Sequence, residues 1–382
     1  MSINEIIVYL MVVFMALGAV DRILGNRFGL GEKFEEGIMA MGSLALAMIG
    51  IICLAPVLAN LLRPVVVPLY QALGADPAMF AGTLLANDMG GAPLAQELAL
   101  TQEAGQFGGL IVGSMLGPTI VFTIPVALGI IKKEDRPYLG AGVLAGMITI
   151  PIGCIVGGLV MNMTPYKMDI GRILINLVPV IVIAALIVIG LWFAPGPMIN
   201  GFNKFGTGVT VVITVLTAIA VFQQITGIMF PVFDVMSTVD PDLGMTPLNN
   251  GLLVCGQIGI VLIGAFPMVE WITRTFGGAL SKLGGALGMN DKGSAGLVAT
   301  LANNIAMFNI MGEMNPKGKI LNVAFAVSAA FVFGDHLGFA AGNDAQMIFP
   351  MIAGKLVAGV TALIVANLLA PKLLSKIQTI SK

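Results

Sequence analysis

The sequence predicts an all-α membrane protein that crosses the bilayer many times, and three observations lead to this fold class. Of the 382 residues, 57% are hydrophobic and only 10% are charged, whereas an ordinary soluble domain has about 25% charged residues. The mean hydropathy is +0.98. The apolar residues are concentrated in runs near the ~20 residues that a helix needs to cross a bilayer. Lipid is therefore the expected solvent for most of the chain, and the net charge of −1 argues against nucleic acid as a partner.

The apolar windows predict about nine full spans and two interrupted segments. The interrupted segments, 64–98 and 276–315, are apolar but contain Gly, Pro, Asn and Asp. Each is too broken for a plain span and too apolar for an exposed loop. We therefore expect a re-entrant hairpin at each, or about eleven spans in all if both segments cross. The nine full windows are 4–22, 37–60, 107–131, 138–162, 172–194, 207–228, 249–272, 319–340 and 347–370.

The positive charges predict an orientation in the membrane. With the N-terminus outside and the C-terminus in the cytoplasm, only Arg63, Lys167 and Arg172 remain outside, while Lys355 lies within the last span. Every other Lys and Arg then falls on the cytoplasmic side, as the positive-inside rule requires. The expected outer segments that lack Lys and Arg are 98–106, 230–248 and 335–346.

The two halves of the chain resemble each other in sequence. EGIMAMGSLALAMIG at 36–50 matches NGLLVCGQIGIVLIG at 250–264, which lies 214 residues later. LLANDMGG matches TLANNIAM 216 residues later, and AGVL matches AGKL 212 residues later. Three matches in the same order at nearly one spacing indicate an internal repeat.

The orientation makes this repeat an inverted one, because an odd number of crossings separates the two copies. Inverted repeats with broken helices are typical of secondary transporters. We therefore expect one integral membrane transport domain over 1–382, with repeat 1 at about 3–162, a linking span at about 170–195 and repeat 2 at about 206–371.

The first interrupted segment contains the most informative polar residues. In FAGTLLANDMGGAPLAQEL, residues 80–98, Asn87 and Asp88 precede two glycines and a proline. Irregular backbone at membrane depth is tolerated only beside protein or a water-filled cavity, and an ionisable residue there is a functional candidate. Asp88 is thus the predicted counter-ion of a cationic substrate, with Asn87, Asn303 and Asn304 as hydrogen-bonding groups. Alternatively, the asparagines only cap the turns; the acid is not needed for that, because its repeat partner is Asn304.

A second polar cluster follows at residues 334–350 and contains the only histidine. Asp335 and His336 are expected to bind substrate, to carry protons or to line the outer vestibule, or else to form a structural hydrogen bond at a helix end. Asn343 and Asp344 are expected to be solvated. Lys355 is expected to pair with Asp335 or Asp344, or to extend its amine to the interface. The sequence lacks the spacing of metal ligands, and we expect neither a metal nor a cofactor.

Several blocks of the sequence resemble one bacterial family. They include INEIIVYLMVVFMALGAVDRILG, FEEGIMAMGSLALAMIG, MFAGTLLANDMGG and AFAVSAAFVFGDHLGFAA, and together with similar blocks they extend from residue 3 to about 370. The chain resembles the ethanolamine permease family, EutH, of the ethanolamine-utilisation operon. The resemblance implies transport of ethanolamine across the bacterial cytoplasmic membrane, but it assigns no substrate-binding residues.

Ethanolamine fits the predicted site, because it is a small cation that needs an anion and a few amides. Phe308, Phe80 or Phe339 would add a cation–π contact of about 0.5–2 kcal/mol. We expect a secondary transporter that works by alternating access. The alternative is a channel-like facilitator of ethanolamine or another small amine or alcohol. An intramembrane enzyme with Asp88 and Asp335 as an aspartyl pair has no support from spacing. The sequence is compatible with Na⁺ or H⁺ as a coupling ion, with passive flow, and with a homo-oligomer.

Overall fold

The computed structural model describes residues 2–241 and 244–380, and within them the fold is all α-helical, as predicted. The helices of the first half and the linking region are α1 Ile3–Ile23, α2 Leu30–Ala72, α3 Ala78–Leu84, α4 Gly91–Leu98, α5 Gln102–Ile130, α6 Arg136–Met147, α7 Ile150–Met161 and α8 Ile170–Phe193. The later helices are α9 Pro195–Thr226, α10 Pro247–Ala286, α11 Asp291–Ala302, α12 Asn304–Ile310, α13 Pro316–Ala329, α14 Asp335–Asp344 and α15 Ile348–Ile380.

The number of membrane-length helices is lower than the predicted number of spans. Seven helices in the described part of the chain are long and apolar enough to cross a membrane, or eight if the bent pair α6 and α7 is counted as one span. The bend between α6 and α7 is 41° and lies within the predicted window 138–162.

The predicted window 319–340 is not a single helix, and this corrects the prediction at that place. Helix α13 ends at Ala329 and α14 begins at Asp335. Between them Phe331 has a positive φ of 63°. The backbone N–H groups of Phe331 and Phe333 donate to the carbonyl oxygens of Thr300 and Leu301, at 3.2 and 3.0 Å. These carbonyl groups lie at the C-terminal end of α11, where they have no donor within the helix. The break between α13 and α14 therefore supplies N–H donors to the unpaired carbonyl groups at the end of α11.

The first interrupted segment was predicted at 64–98, but helix α2 continues to Ala72, and only the rest forms a helical hairpin, whose ends meet at Asp76. The carboxylate of Asp76 accepts hydrogen bonds from the backbone N–H of Ala78 at 2.9 Å and of Leu100 at 3.1 Å. Helices α3 and α4 lie between these two points and pack against each other. The segment therefore leaves on the side on which it enters. Thr101 then caps the start of α5 through the N–H of Ala104.

The second interrupted segment is closed at its base by a pair of asparagines. The backbone N–H of Asn290 donates to Oδ1 of Asn315 at 3.4 Å, and the N–H of Asn315 donates to Oδ1 of Asn290 at 3.3 Å. Asn315 also donates its side-chain amide to the carbonyl oxygen of Gly288 at 2.9 Å. Each asparagine caps the helix that follows it, α11 and α13 respectively, so helices α11 and α12 also form a closed hairpin.

Polar contacts gather the segments predicted on the outer side at one end of the molecule. The amide of Asn4 donates to the carbonyl oxygen of Gln346 at 2.9 Å. The phenol of Tyr166 donates to Asp344 at 2.5 Å, and Gln106 donates to the same carboxylate at 3.3 Å. Burial, and then the hydrogen bond to Asp344, raises the pKa of Tyr166 to about 12. The prediction that Asp344 is simply solvated is therefore wrong.

The segments predicted on the cytoplasmic side contact one another in the same way. The guanidinium group of Arg274 donates to the carbonyl oxygen of Phe28 at 2.5 Å and pairs with Glu270 at 2.7 Å. Lys319 forms an ion pair with the buried carboxylate of Asp135. These contacts join the connection after α1 to α10 and the turn before α6 to α13.

Helices α2 and α10 pack along each other through small residues. A Cβ atom on Gly37 would lie 2.5 Å from the carbonyl oxygen of Leu262, and one on Gly264 would lie 2.3 Å from that of Met11 in α1. Close approach of backbones at small residues is the usual basis of helix packing in membranes. Helix α2 also forms part of the wall of the cavity described next.

Candidate functional site

A cavity of about 270 Å³ lies where the two hairpins and the break between α13 and α14 meet. Ser43 and Leu44 of α2 form part of its wall, and Phe122 and Phe331 form another part with ring centroids 5.5 Å apart. Besides Ser43, its polar lining residues are Asp88, Asn303, Asp335 and His336.

The tip of the first hairpin places Asp88 in this cavity. Helix α3 ends at Leu84, and the chain passes through extended backbone at Leu85 and Ala86 into a single 3₁₀ turn. Gly90 closes the turn with a φ of 88°, and a Cβ atom there would lie 1.8 Å from Cγ2 of Ile51. Only glycine satisfies both conditions without strain. The carboxylate of Asp88 remains 18% exposed.

The tip of the second hairpin places Asn303 in the wall of the same cavity. Asn303 is extended, with φ −155° and ψ 127°, between α11 and α12. Its Oδ1 accepts a hydrogen bond from the backbone N–H of Ile305 at 2.7 Å. Asn303 thus caps α12, as one of the two hypotheses for the asparagines expects, and it also lines the cavity.

Four of the predicted site residues line the cavity and three do not. Asp88, Asn303, Asp335 and His336 are in its wall. Asn87 is fully buried, and Asn304 is also buried and donates its amide to the hydroxyl of Thr123 at 2.9 Å. Phe308 is buried in the core, so the aromatic rings that a bound cation would meet are those of Phe122 and Phe331.

Lys355 is the functional candidate whose environment the sequence did not predict. It is 1% exposed, and its Nζ donates to the carbonyl oxygen of Ser114 at 2.5 Å. It lies 3.0 Å from Nδ1 of His336. The expected pairing with Asp335 or Asp344, or extension to the interface, is not what the structure has. The repeat contained the signal, because Val143 of AGVL corresponds to Lys355 of AGKL.

The polar groups form a continuous line from the cavity into the protein. Nε2 of His336 lies 4.0 Å from Oδ1 of Asp88, and its Nδ1 faces the amine of Lys355. When Lys355 donates to Nδ1, the imidazole carries its proton on Nε2 and directs it towards Asp88. The carbonyl group of Ser114 is available to Lys355 because the residue four positions later, which would donate to it in a regular helix, is Pro118 and has no N–H.

A second cavity, of about 420 Å³, adjoins the first and leads towards one end of the molecule. The two cavities share Asn303, Ile305 and Asp335 as lining residues. The second one extends to Glu36 and Glu270, at the end where Arg274 contacts Phe28. The cavity of about 410 Å³ at the base of the first hairpin is lined by a different set of residues, including Asp76 and Thr101.

Comparison with known proteins places the chain in a family. A family model described as "Ethanolamine utilisation protein, EutH" matches residues 3–369. The chain belongs to this family. The family membership confirms the resemblance seen in the sequence. Together with the long apolar helices, it identifies a multi-pass membrane protein. No solved structure matches the chain.

Relatives from several bacteria cover nearly the whole chain. A protein of Listeria monocytogenes named "Probable ethanolamine permease EutH" is 61% identical over 376 residues, which are 98% of this chain and 96% of the relative. An Escherichia coli protein with the same name is 52% identical, and the match covers 97% of each chain. A Bacillus subtilis protein named "Uncharacterized protein YxeR" is 47% identical over 372 residues, 97% of this chain and 96% of the relative. The first two are named as permeases and not as enzymes, in agreement with the predicted class of protein.

Proposed function

We propose that the protein is a secondary transporter that carries ethanolamine across the bacterial cytoplasmic membrane. The observation that carries the proposal is the carboxylate of Asp88, held by a broken hairpin in a cavity among apolar helices. A buried anion is costly unless a cation offsets it, and protonated ethanolamine is such a cation. The names of the Listeria and Escherichia relatives supply the identity of the amine.

The cavity offers a partner for each part of the substrate. The ammonium group binds between the carboxylates of Asp88 and Asp335, and the hydroxyl group reaches the side chain of Asn303 or His336. The ring pair of Phe122 and Phe331 contributes a cation–π contact of about 0.5–2 kcal/mol. Ethanolamine has only two carbons between its polar groups, so it fits within the cavity of about 270 Å³.

We propose further that two inverted repeats, about 3–162 and 206–371, alternate around this site, joined by a linking span at about 170–195. Support comes from the hairpin bases, because Asp76 and Asn290 are 214 residues apart and cap the first helix of their respective hairpins. Thr101 and Asn315 are also 214 residues apart and cap the helix that follows each hairpin. This spacing equals that of the longest sequence match between the halves.

The charge pattern supports an N-terminus outside and a C-terminus in the cytoplasm. In that orientation the adjoining cavity beside Glu36 and Glu270 opens towards the cytoplasm. The structure then corresponds to an inward-facing state, in which substrate leaves the site past Asn303 and Asp335. A fixed pore through the same cavities would instead give the channel-like facilitator.

The test is uptake of labelled ethanolamine by proteoliposomes containing the wild type, Asp88→Asn or Asp291→Asn. Asp291 is an exposed residue at the start of α11 and outside the cavity, so it controls for loss of a carboxylate. We expect Asp88→Asn to abolish saturable uptake at normal protein abundance, and Asp291→Asn to leave it unchanged. Normal uptake by Asp88→Asn would remove this residue from the site, and unsaturable flux without counterflow in the wild type would favour the channel.

A further inference from the structure

Four titratable groups meet at the proposed binding site: Asp88, Asp335 and His336 line it, and Lys355 lies behind its wall. Asp88 and Asp335 face the cavity. His336 is 2% exposed and lies between Asp88, at 4.0 Å, and Lys355, at 3.0 Å. Lys355 itself has no direct access to the cavity wall, because its amine is held by Ser114 and His336. The lysine can act on the cavity only through the imidazole and through its charge.

The formal charges of these groups leave the empty site one unit negative. Two carboxylates and one ammonium group, with a neutral imidazole, add to a single negative charge. The neighbouring charged groups do not offset it, because Glu36 pairs with Lys33 at 2.5 Å and Glu270 pairs with Arg274 at 2.7 Å. The thiol of Cys154, which is buried near Lys355, is neutral as long as it keeps its proton. A net charge in a site of low dielectric constant is unfavourable.

We propose that one proton and the ammonium group of one substrate molecule compete for this single negative charge. Lys355, acting through His336, keeps the net charge of the empty site at one negative unit. This rests on the proposed function, since it assumes that the amine binds at Asp88. In the empty site the proton is bound to an oxygen of a cavity carboxylate. When the amine binds with its three N–H bonds intact, that O–H bond breaks and the proton passes to water in the cavity.

The exchange keeps the site neutral in both of its states. The empty site holds the proton and the occupied site holds the ammonium group, so either form can cross between inward and outward conformations without moving a net buried charge. A proton would therefore return in the direction opposite to the amine. Lys355 is a positioning residue in this scheme, because it contacts neither the substrate nor the exchanged proton.

The proposal predicts how binding depends on pH. We define the midpoint pH as the pH at which half of the empty sites hold the proton. Below it the amine must displace the proton, so the dissociation constant for ethanolamine rises about tenfold for each unit that the pH is lowered. Above the midpoint pH the dependence disappears. Ethanolamine remains protonated at neutral pH, because an alkylamine such as that of lysine titrates near pH ~10, so the ligand itself does not produce the effect.

The experiment is calorimetric titration of the purified full-length protein with ethanolamine in two buffers with different heats of ionisation, at a series of pH values. The slope of heat against buffer ionisation gives the protons released per amine. We expect release to approach one proton below the midpoint pH. Buffer-independent heats would overturn the exchange and leave the proposed function intact, whereas absence of binding would overturn both.

Two variants with opposite charge effects test the role of Lys355. Lys355→Met makes the site more negative and should move the midpoint to higher pH, while Lys355→Arg should restore it. Asp335→Asn makes the empty site neutral, so it should abolish proton release and weaken binding at high pH. Asp291→Asn is the control with unchanged release. A folded Lys355→Met protein with the wild-type midpoint would show that Lys355 only stabilises the break in α5. If Lys355→Met does not fold, proton release by Asp335→Asn tests the net charge instead, and release at the wild-type level would overturn the proposal.

Discussion

Replacement of Gly90 by alanine tests whether the tip of the first hairpin needs the conformation that the structure gives it. Gly90 has a φ of 88° and closes the turn that carries Asp88. The new methyl group would be built 1.8 Å from Cγ2 and 2.6 Å from Cβ of Ile51. Backbone strain and steric overlap therefore act together at one position.

The expected loss of stability follows from these two contributions. A left-handed conformation costs an L-residue roughly 1–2 kcal/mol, and an extra methyl group in a packed core costs about 1–3 kcal/mol. Their sum predicts a destabilisation of about 2–5 kcal/mol. Any relaxation that relieves the overlap must move Asp88 or α2, so uptake of ethanolamine should fall as well.

The assay is thermal unfolding in detergent, followed by uptake in proteoliposomes. Gly278→Ala is the matched control, because Gly278 lies within α10, has ordinary helical backbone and has no atom within 4 Å of the added methyl group. That variant should be unchanged or more stable by up to about 1 kcal/mol. Adding Ile51→Ala to Gly90→Ala should recover part of the overlap energy, seen as non-additivity in a double-mutant cycle.

If Gly90→Ala unfolds at the same temperature as Gly278→Ala and transports normally, the turn does not require a left-handed residue. The placement of Asp88 by the 3₁₀ turn would then be wrong.

Two further changes test the hairpin base and the orientation. Asn290→Ala removes a helix cap and one half of the asparagine pair that closes the second hairpin. It should lower the stability of the protein by about 0.5–2 kcal/mol and speed amide hydrogen exchange in α11. Unchanged exchange in α11 would contradict the closed base. The orientation is tested with single cysteines introduced at Asp240 and Glu134, since the native Cys53, Cys154 and Cys255 are buried and react poorly. A cysteine at position 240 should be labelled by a reagent added outside the cell, and one at position 134 should not. The reverse pattern would contradict the inverted topology.

The sequence predicted the parts of the site that depend on a rare residue in an apolar context. Asp88 and the Asp335–His336 pair stand out because membrane segments exclude charge, and the structure places all three at one cavity. Phe308 carried no such signal, since one phenylalanine among 20 in the chain cannot be assigned to a wall or to the core by composition. Lys355 is as rare as Asp88 in its context, but its partners lie 241 and 19 residues away in sequence.

The break between α13 and α14 could not be predicted from local sequence. Residues 324–333, AFAVSAAFVF, contain neither glycine nor proline, and they read as a continuous apolar helix. Their backbone departs from the helix where the carbonyl groups of Thr300 and Leu301 accept from Phe331 and Phe333. A helix break caused by tertiary hydrogen bonds leaves no mark on hydropathy or on turn-forming residues.

The closed bases of the two hairpins restrict how the length of the chain can vary in this family. Each added residue in a helix shifts everything beyond it by about 1.5 Å and turns it by roughly a quarter to a third of a circle. Between Asp76 and Leu100 both ends are fixed by hydrogen bonds to one carboxylate, so an inserted residue would rotate Asp88 away from the cavity instead of lengthening a loop. The length of each hairpin is therefore fixed by its closed base. Insertions among relatives are expected in connections such as residues 227–246 between α9 and α10.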